Sequence, residues 1–232
     1  MSPRHYDLGR RRESTAETRL KILAAVRALI GGKEDPGEFS MEEVARRAGV
    51  SRMTVYHQYR SRAGVLNALS DHLAERGGMH RLPEAFQERD PVAALRKFVG
   101  TFVAFWASDR LVLRRLRALG LLHPGLYQPV RGRDAWRKQG ATVLLGKFPQ
   151  PADAPGALGT EQRVALLTAW TSFETFDELC EGGRTPSEVA ILLSDAMLRL
   201  LAEDPAGVRK SERKGRPRGP RSQRAGSAPR RG

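Results

Sequence analysis

One cysteine, Cys180, stands in a chain of 232 residues, so no disulfide can close within it. Metal sites built on paired cysteines are excluded for the same reason. A lone thiol fits a reducing compartment, and Cys180 itself reads as a small buried hydrophobe. Aromatic residues are few, at 6%. No apolar run approaches the roughly 20 residues that a membrane-spanning helix needs. The N-terminus is polar and Arg-rich, with no apolar stretch before Leu20, so the expectation is no secretory signal and a cytoplasmic, nucleoid-associated location. An alternating pattern of useful length is missing too, which leaves an all-α fold. His5, His57, His72, His80 and His123 are scattered. They form no His-Glu-x-x-His pattern, and there is neither a Gly-rich phosphate loop nor a Gly-x-Ser-x-Gly elbow. The expectation is a protein that is not an enzyme, with no metal and no cofactor.

What is present in excess is positive charge, +14 overall. It is unevenly placed: residues 1–60 carry +4, residues 61–204 carry +1 and residues 205–232 carry +9. The middle is nearly neutral, and the basic ends can attract a polyanion. Residues 1–15, with Arg10, Arg11 and Arg12, read as a flexible basic arm able to reach phosphates or a minor groove. From Pro205 onward there is no apolar period, and the Arg, Lys, Gly, Pro and Ser content predicts a disordered basic tail.

Between these ends the periodicity is helical. Leu20, Leu23, Val26 and Ile30 mark a first helix, which Gly31 and Gly32 end. Ser40, with Glu43 three residues on, caps a second helix that turns Val44 and Ala45 inward. Gly49 breaks it, and Ser51 caps a third with Val55 and Tyr59 inward. A small residue at Ala45, a turn glycine and a branched core residue at Val55 form the spacing of a helix-turn-helix. At 100° per residue, Met53 and His57 then point away from the buried side, and Thr54 and Tyr56 flank them. Arg52, in the first turn, is long enough to join them. Arg reads a guanine edge, a Thr or Met methyl meets a thymine methyl, and Tyr or His holds a phosphate. Ser61 caps a further helix, with Val65, Leu66, Leu69 and Leu73, to about Gly77. Residues 77–89 read as a loop with one short turn. Asp90-Pro91 starts the next helix, Asp109 restarts one, and another runs from about Pro124 to Phe148. After a Pro/Ala/Gly-rich connection at 149–159, one long helix is expected from Thr160 to about Glu181, and a last one from Thr185-Pro186.

The stretch SMEEVARRAGVSRMTVYHQYRSRAGVL resembles the DNA-binding unit of the TetR family of bacterial transcriptional regulators, over about Arg19 to Leu69. The C-terminal two-thirds resembles that family in layout alone. The resemblance implies an N-terminal three-helix helix-turn-helix DNA-binding domain (16–60), joined to a larger helical ligand-binding and dimerisation domain (61–204). It also implies a homodimer on a palindromic double-stranded DNA operator, most simply a repressor released by a small-molecule effector. Carried over by position, Arg52, Met53 and Thr54 match base-reading places and Tyr56 a phosphate-contacting one. His57 and Gln58 complete the reading helix. Ser40 stands where a helix N-terminus meets a phosphate, and Arg62 where the family usually has a backbone-contacting lysine. Met53 and the pair Gln58-Tyr59 depart from the usual pattern.

In the larger domain, Trp106, Leu113, Trp136, Trp170 and Phe173 are candidates for an effector pocket. The helices at 160–181 and 187–203 are expected to form a four-helix bundle with a second copy, because Leu166, Leu167, Trp170, Phe173 and Phe176, with Val189, Leu192, Leu193, Ala196 and Leu200, exceed what one internal face needs. Arg110, Arg114 and Arg117 share one helical face, and Glu174, Asp177, Glu178 and Glu181 another; they read either as two solvated faces or as partners. The tail carries Lys214-Gly215-Arg216-Pro217-Arg218, similar to the core of an AT-hook, in which Arg enters a narrow A·T minor groove. An architectural DNA-binding protein that relies on this tail is the competing function. Deleting 205–232 is expected to weaken DNA binding and to flatten its dependence on salt in a filter-binding titration. Unchanged affinity and slope would remove any role for Lys214, Arg216 and Arg218.

Overall fold

The computed structural model describes residues 3–32, 39–149 and 158–202, with the backbone alone for 3–13 and 124–131. All regular structure among them is helical. The first helix, α1 (Pro3–Gly32), buries Ile22, Leu23, Val26, Leu29 and Ile30 and leaves Leu20 exposed. Its backbone is helical from Pro3, within the 1–15 stretch expected as a flexible arm. No proline interrupts the segment after Pro3, so the helix packed at 22–30 can extend toward the N-terminus. The side chains of Arg10, Arg11 and Arg12 lie outside the described residues, as does the whole tail with Lys214, Arg216 and Arg218.

Helices α2 (Met41–Ala48), α3 (Arg52–Tyr59) and α4 (Arg62–Arg76) follow, as the caps predict. The supposed loop at 77–89 instead holds a 3₁₀ turn, Met79–Arg81, and a short helix, α5 (Leu82–Gln87). Pro83 in the first turn costs α5 nothing, since the amide it lacks would have no partner there. Helix α6 (Pro91–Ser108) starts at Asp90, whose carboxylate accepts from the amides of Val92 (3.2 Å) and Ala93 (3.0 Å). Helices α7 (Arg110–Leu122) and α8 (Pro124–Leu145) come next. Asp109 does precede α7, but its carboxylate is taken by Arg27 of α1 rather than by the helix amides.

The long helix expected at 160–181 is two: α9 (Thr160–Trp170) and α10 (Phe173–Glu181). At the break, Ser172 caps α10 by accepting from the Thr175 amide at 3.2 Å. The freed Thr171 carbonyl accepts from the indole Nε1 of Trp106 on α6, 3.0 Å away and buried. The last helix, α11 (Pro186–Ala202), opens on a reciprocal cap. Thr185 Oγ1 accepts from the Glu188 amide, and Glu188 Oε2 accepts from the Thr185 amide.

Helix α6 is the axis of the larger unit. It packs against α4, α5, α10 and α11, with Leu95, Phe98, Val99 and Phe102 buried along it. A row of rings follows it: Phe86 to Phe98 at 6.2 Å, Phe98 to Phe102 at 5.0 Å, Phe102 to Trp106 at 6.4 Å and Trp106 to Phe173 at 5.6 Å between centroids. Phe173 and Phe176 of α10, Leu167 of α9, and Val189, Leu193 and Met197 of α11 are all buried within the chain.

The arginines of α7 and the acids of α10 are partners rather than separate solvated faces. Arg110 donates from Nε to Asp177 (2.6 Å) and from Nη2 to the Asp177 carbonyl (2.8 Å). Arg114 holds both Asp177 oxygens at 2.8 Å and also reaches Glu181. Arg117 donates to Glu174 at 2.6 Å. Burial pushes the Asp177 carboxyl upward, but the hydrogen bonds from Arg114 and Arg110 outweigh it and hold the group below its ordinary value. A depressed carboxyl stabilises the fold above its unfolded pKa, and that contribution is lost as pH falls through the folded value. Asp177→Asn is therefore expected to cost about 2 kcal/mol at neutral pH. The difference from wild type in urea melts should shrink below a pH of about 4, where the unfolded carboxyl titrates. A pH-independent difference would contradict this account.

Candidate nucleic-acid interface and the cavity behind it

The reading unit is built from three serine caps and one turn. Ser40 Oγ accepts from the Glu43 amide (3.1 Å), Ser51 Oγ from the Thr54 amide (3.0 Å) and Ser61 Oγ from the Gly64 amide (3.0 Å). Gly49 turns the chain between α2 and α3 with φ +67°, a conformation that costs glycine little. Phe39, Met41, Val44 and Ala45 bury against Val55 and Tyr59, and the Tyr59 hydroxyl donates to the Arg19 carbonyl of α1 at 3.4 Å.

With the inner face of α3 fixed, the outer face is what the sequence predicts. Met53 is 74% exposed, Arg52 and His57 are exposed, and Thr54, Tyr56 and Gln58 are half-buried. A large apolar side chain at 74% exposure on a capped, packed helix offers a contact surface. Arg52 already has company. It pairs with Glu42 of α2 at 2.6 Å and lies over the Tyr56 ring at 5.2 Å. The hydrogen bond with Tyr56 and then the charge of Glu42 raise its pKa. Thr54 Oγ1 and Ser51 Oγ share a hydrogen bond of 2.8 Å. Arg62, at the head of α4, lies over the Phe39 ring at 4.8 Å and is half-buried. Ser40 is exposed at the start of α2. The fold thus brings Ser40, Arg52, Met53, Thr54, Tyr56, His57, Gln58 and Arg62 into one unit.

Sequence reasoning missed the joint between α3 and α4. Arg60 has φ +63° and ψ −37°, and the Ser61 amide donates to the Tyr59 carbonyl at 2.6 Å. That is a γ-turn of the strained, positive-φ kind. The same carbonyl oxygen would lie 2.0 Å from a Cβ at residue 64, so the first turn of α4 can close on it only with Gly64. The sequence signal was the glycine inside an otherwise good helix start.

Behind this unit lies a cavity of about 230 Å³ between α4, α6, α7 and α8. Ala74, Phe102, Phe105, Trp106, Leu113 and Leu116 give it apolar walls, and Trp136, 72% exposed, stands at its edge. Ser70, Asp71, Arg117, Arg133, Asp134 and Arg137 are its polar lining. Of the apolar residues proposed from sequence, Trp106, Leu113 and Trp136 meet here. Phe173 packs behind Trp106 instead, and Trp170 packs against the core away from the lining. The arginines and acids were invisible to a search for aromatics, because only the fold places α4 beside α8.

Residues 22–69 match the family model of bacterial regulatory proteins of the tetR family. The described fold is similar to NalD, the secondary repressor of the MexAB-OprM multidrug efflux pump in Pseudomonas aeruginosa, at 21% identity and a TM-score of 0.60, over 80% of this chain and 96% of that one. It is similar to a TetR-like transcriptional regulator from Rhodococcus (20%, TM-score 0.59, 81% and 97%) and to a tetR-family regulator from Streptomyces coelicolor (19%, TM-score 0.53, 84% and 89%). At these identities the likeness is one of fold. No curated protein matches the sequence.

The joint gives a paired prediction. Gly64→Ala is expected to lower stability by about 3 kcal/mol, since a backbone carbonyl must move. Arg60→Gly should raise it by about 1 kcal/mol, because glycine enters positive φ without strain. Urea melts of both variants check the two signs; a neutral Gly64→Ala would sink the description of the joint.

Proposed function

Taking residues 22–69 as the DNA-binding domain of a TetR-family transcriptional regulator, we propose that the chain is a homodimeric repressor released from a palindromic operator by a small molecule. One observation carries the reading. Helix α4 begins at the strained joint behind the reading helix, and two turns later Ser70, Asp71 and Ala74 line the cavity. A molecule that changes the seat of α4 in the cavity must also move α3. Two reading helices in a dimer enter successive major grooves about 34–36 Å apart. A ligand favouring another separation weakens DNA binding by its differential affinity for the two states.

Ile191, 61% exposed, and Leu192 support the dimer: they form an apolar strip on α11 beside Glu188, Asp195 and Arg199. Acid and base at opposite ends of a strip suit a self-complementary two-fold contact. This surface is smaller than the sequence led us to expect, since Phe173, Phe176, Val189 and Leu193 are occupied internally. The role of NalD as a secondary repressor favours repression here over activation. The +9 tail supports a second reading, an effector-independent architectural protein.

Footprinting on fragments selected from the parent genome separates them. The repressor should protect one or a few palindromes with half-sites a helical turn apart, and Ile191→Glu should abolish protection. Arg52→Ala should cost about 1–3 kcal/mol of binding and relax sequence preference at one position. Broad coverage that survives Ile191→Glu would favour the architectural protein.

A further inference from the structure

We propose that the cavity takes a neutral aryl molecule and rejects charge of either sign, and that Trp136 is the wall such a molecule covers. The proposal rests on the cavity being the effector site and names the class of effector. What decides the class is that the polar groups of the lining are already engaged. The Ser70 hydroxyl donates to the Leu66 carbonyl at 2.9 Å. Arg133 donates to the Asn67 carbonyl (3.3 Å) and to Asp71 (2.6 Å). Arg137 donates from Nη1 to Asp134 at 2.9 Å, and its Nε is covered by protein, out of a ligand's reach. Arg117 donates to Glu174 at 2.6 Å and approaches Asp134 at 3.5 Å. The indole N–H of Trp106 is committed to the Thr171 carbonyl.

A charged ligand must leave its water, and the transfer is costly unless the site supplies a new partner. An anion finds none. Arg117, Arg133 and Arg137 are matched by Glu174, Asp71 and Asp134, so the lining holds no surplus of positive charge. A cation meets those guanidiniums and one open oxygen, the second of Asp71. That side chain is 73% exposed, and a pair formed there is screened by water and contributes little. The apolar side of the lining has no such commitments. Phe102, Phe105, Trp106 and Trp136 bring rings to a space of about 230 Å³, and Leu113 and Leu116 add aliphatic wall. Apolar contact needs no directional partner, and ring faces suit an aryl body. Trp106 is already buried, whereas Trp136 is 72% exposed. A ring seated in the cavity covers Trp136 and removes its apolar surface from water, so this residue gains most from occupancy.

Equilibrium dialysis of the full chain, without DNA and at neutral pH, against 2-methylnaphthalene, 2-naphthoate and 2-(aminomethyl)naphthalene tests this. The three share one ring system and carry no charge, a carboxylate and an ammonium. The neutral probe is expected to saturate a single site per chain, about tenfold more tightly than either charged one. Trp136→Ala should weaken its binding about fivefold, the scale of one lost aromatic pair, and Trp136→Phe should keep most of it. Trp136 is exposed, so urea melts of both variants should match wild type and report an intact fold. A charged probe that binds as tightly as the neutral one, no saturable binding of 2-methylnaphthalene, or an affinity unchanged in Trp136→Ala overturns the proposal. Neutral-selective binding without any effect on the operator complex would count against the release mechanism instead, and leave the selectivity of the cavity standing.

Discussion

The carbonyl oxygen of Tyr59 is tightly enclosed, and the junction of α3 with α4 is built around it. The Ser61 amide bonds to it at 2.6 Å, Arg60 is held at positive φ to allow that bond, and Gly64 is close enough that no side chain fits. A joint packed this tightly has few soft modes. The last turn of α3 and the first turn of α4 are therefore closely coupled, which on the proposed mechanism passes rotation of α4 to α3. The bend stores strain, of about 1–3 kcal/mol by the usual cost of such backbone. Packed Val55 and Tyr59 below it, and Val65 and Leu66 beyond it, hold it in place.

A lever needs bearings as well as a joint. On one side α4 lies on α1, whose end is tied to α7: Arg27 pairs with Asp109, and Arg115 donates to the Ile30 carbonyl at 2.9 Å. That second bond places a cation on the unpaired carbonyls of a helix C-terminus, where the dipole favours it. On the other side Arg133 of α8 holds α4 by the Asn67 carbonyl (3.3 Å) and by Asp71. The α4–α8 link is made of side chains that also line the cavity, whereas the α1–α7 link lies outside it. On the proposed release mechanism, a ligand perturbs one bearing and leaves the other, which favours rotation over loosening.

The N-terminal unit was legible because each of its parts is locally coded. The caps at Ser40, Ser51 and Ser61, the turn at Gly49 and the inward period of Val55 and Tyr59 each act on partners only a few residues away, and the structure realises each one. Legibility failed where the deciding partner is distant. The break at Thr171–Ser172 has no Pro or Gly, and the apolar period runs straight through it; what stabilises it is an indole 65 residues away. Asp109 is a good cap by type, yet a guanidinium 82 residues away took its carboxylate. Helix α5 was hidden because it is shorter than the window over which periodicity can be read. The cavity's charged lining was missed for the same reason as the break: Asp71 and Arg133 become neighbours only in the fold.

The reading role proposed for Arg52 is compatible with its engagement in the free protein. Its pair with Glu42 is exposed on both sides, and pairs of that kind contribute little. Breaking it to meet a guanine edge or a phosphate thus costs little, while the Tyr56 ring keeps the guanidinium near the outer face in the meantime. Glu42 also repels phosphates when Arg52 leaves it, so the exchange is favourable only where the arginine gains a bidentate partner. Under the proposed function, an acid placed beside Arg52 in this way would discriminate against non-specific DNA. Met53, outward and without such a counterweight, is suited under the proposed function to supply contact area rather than choice.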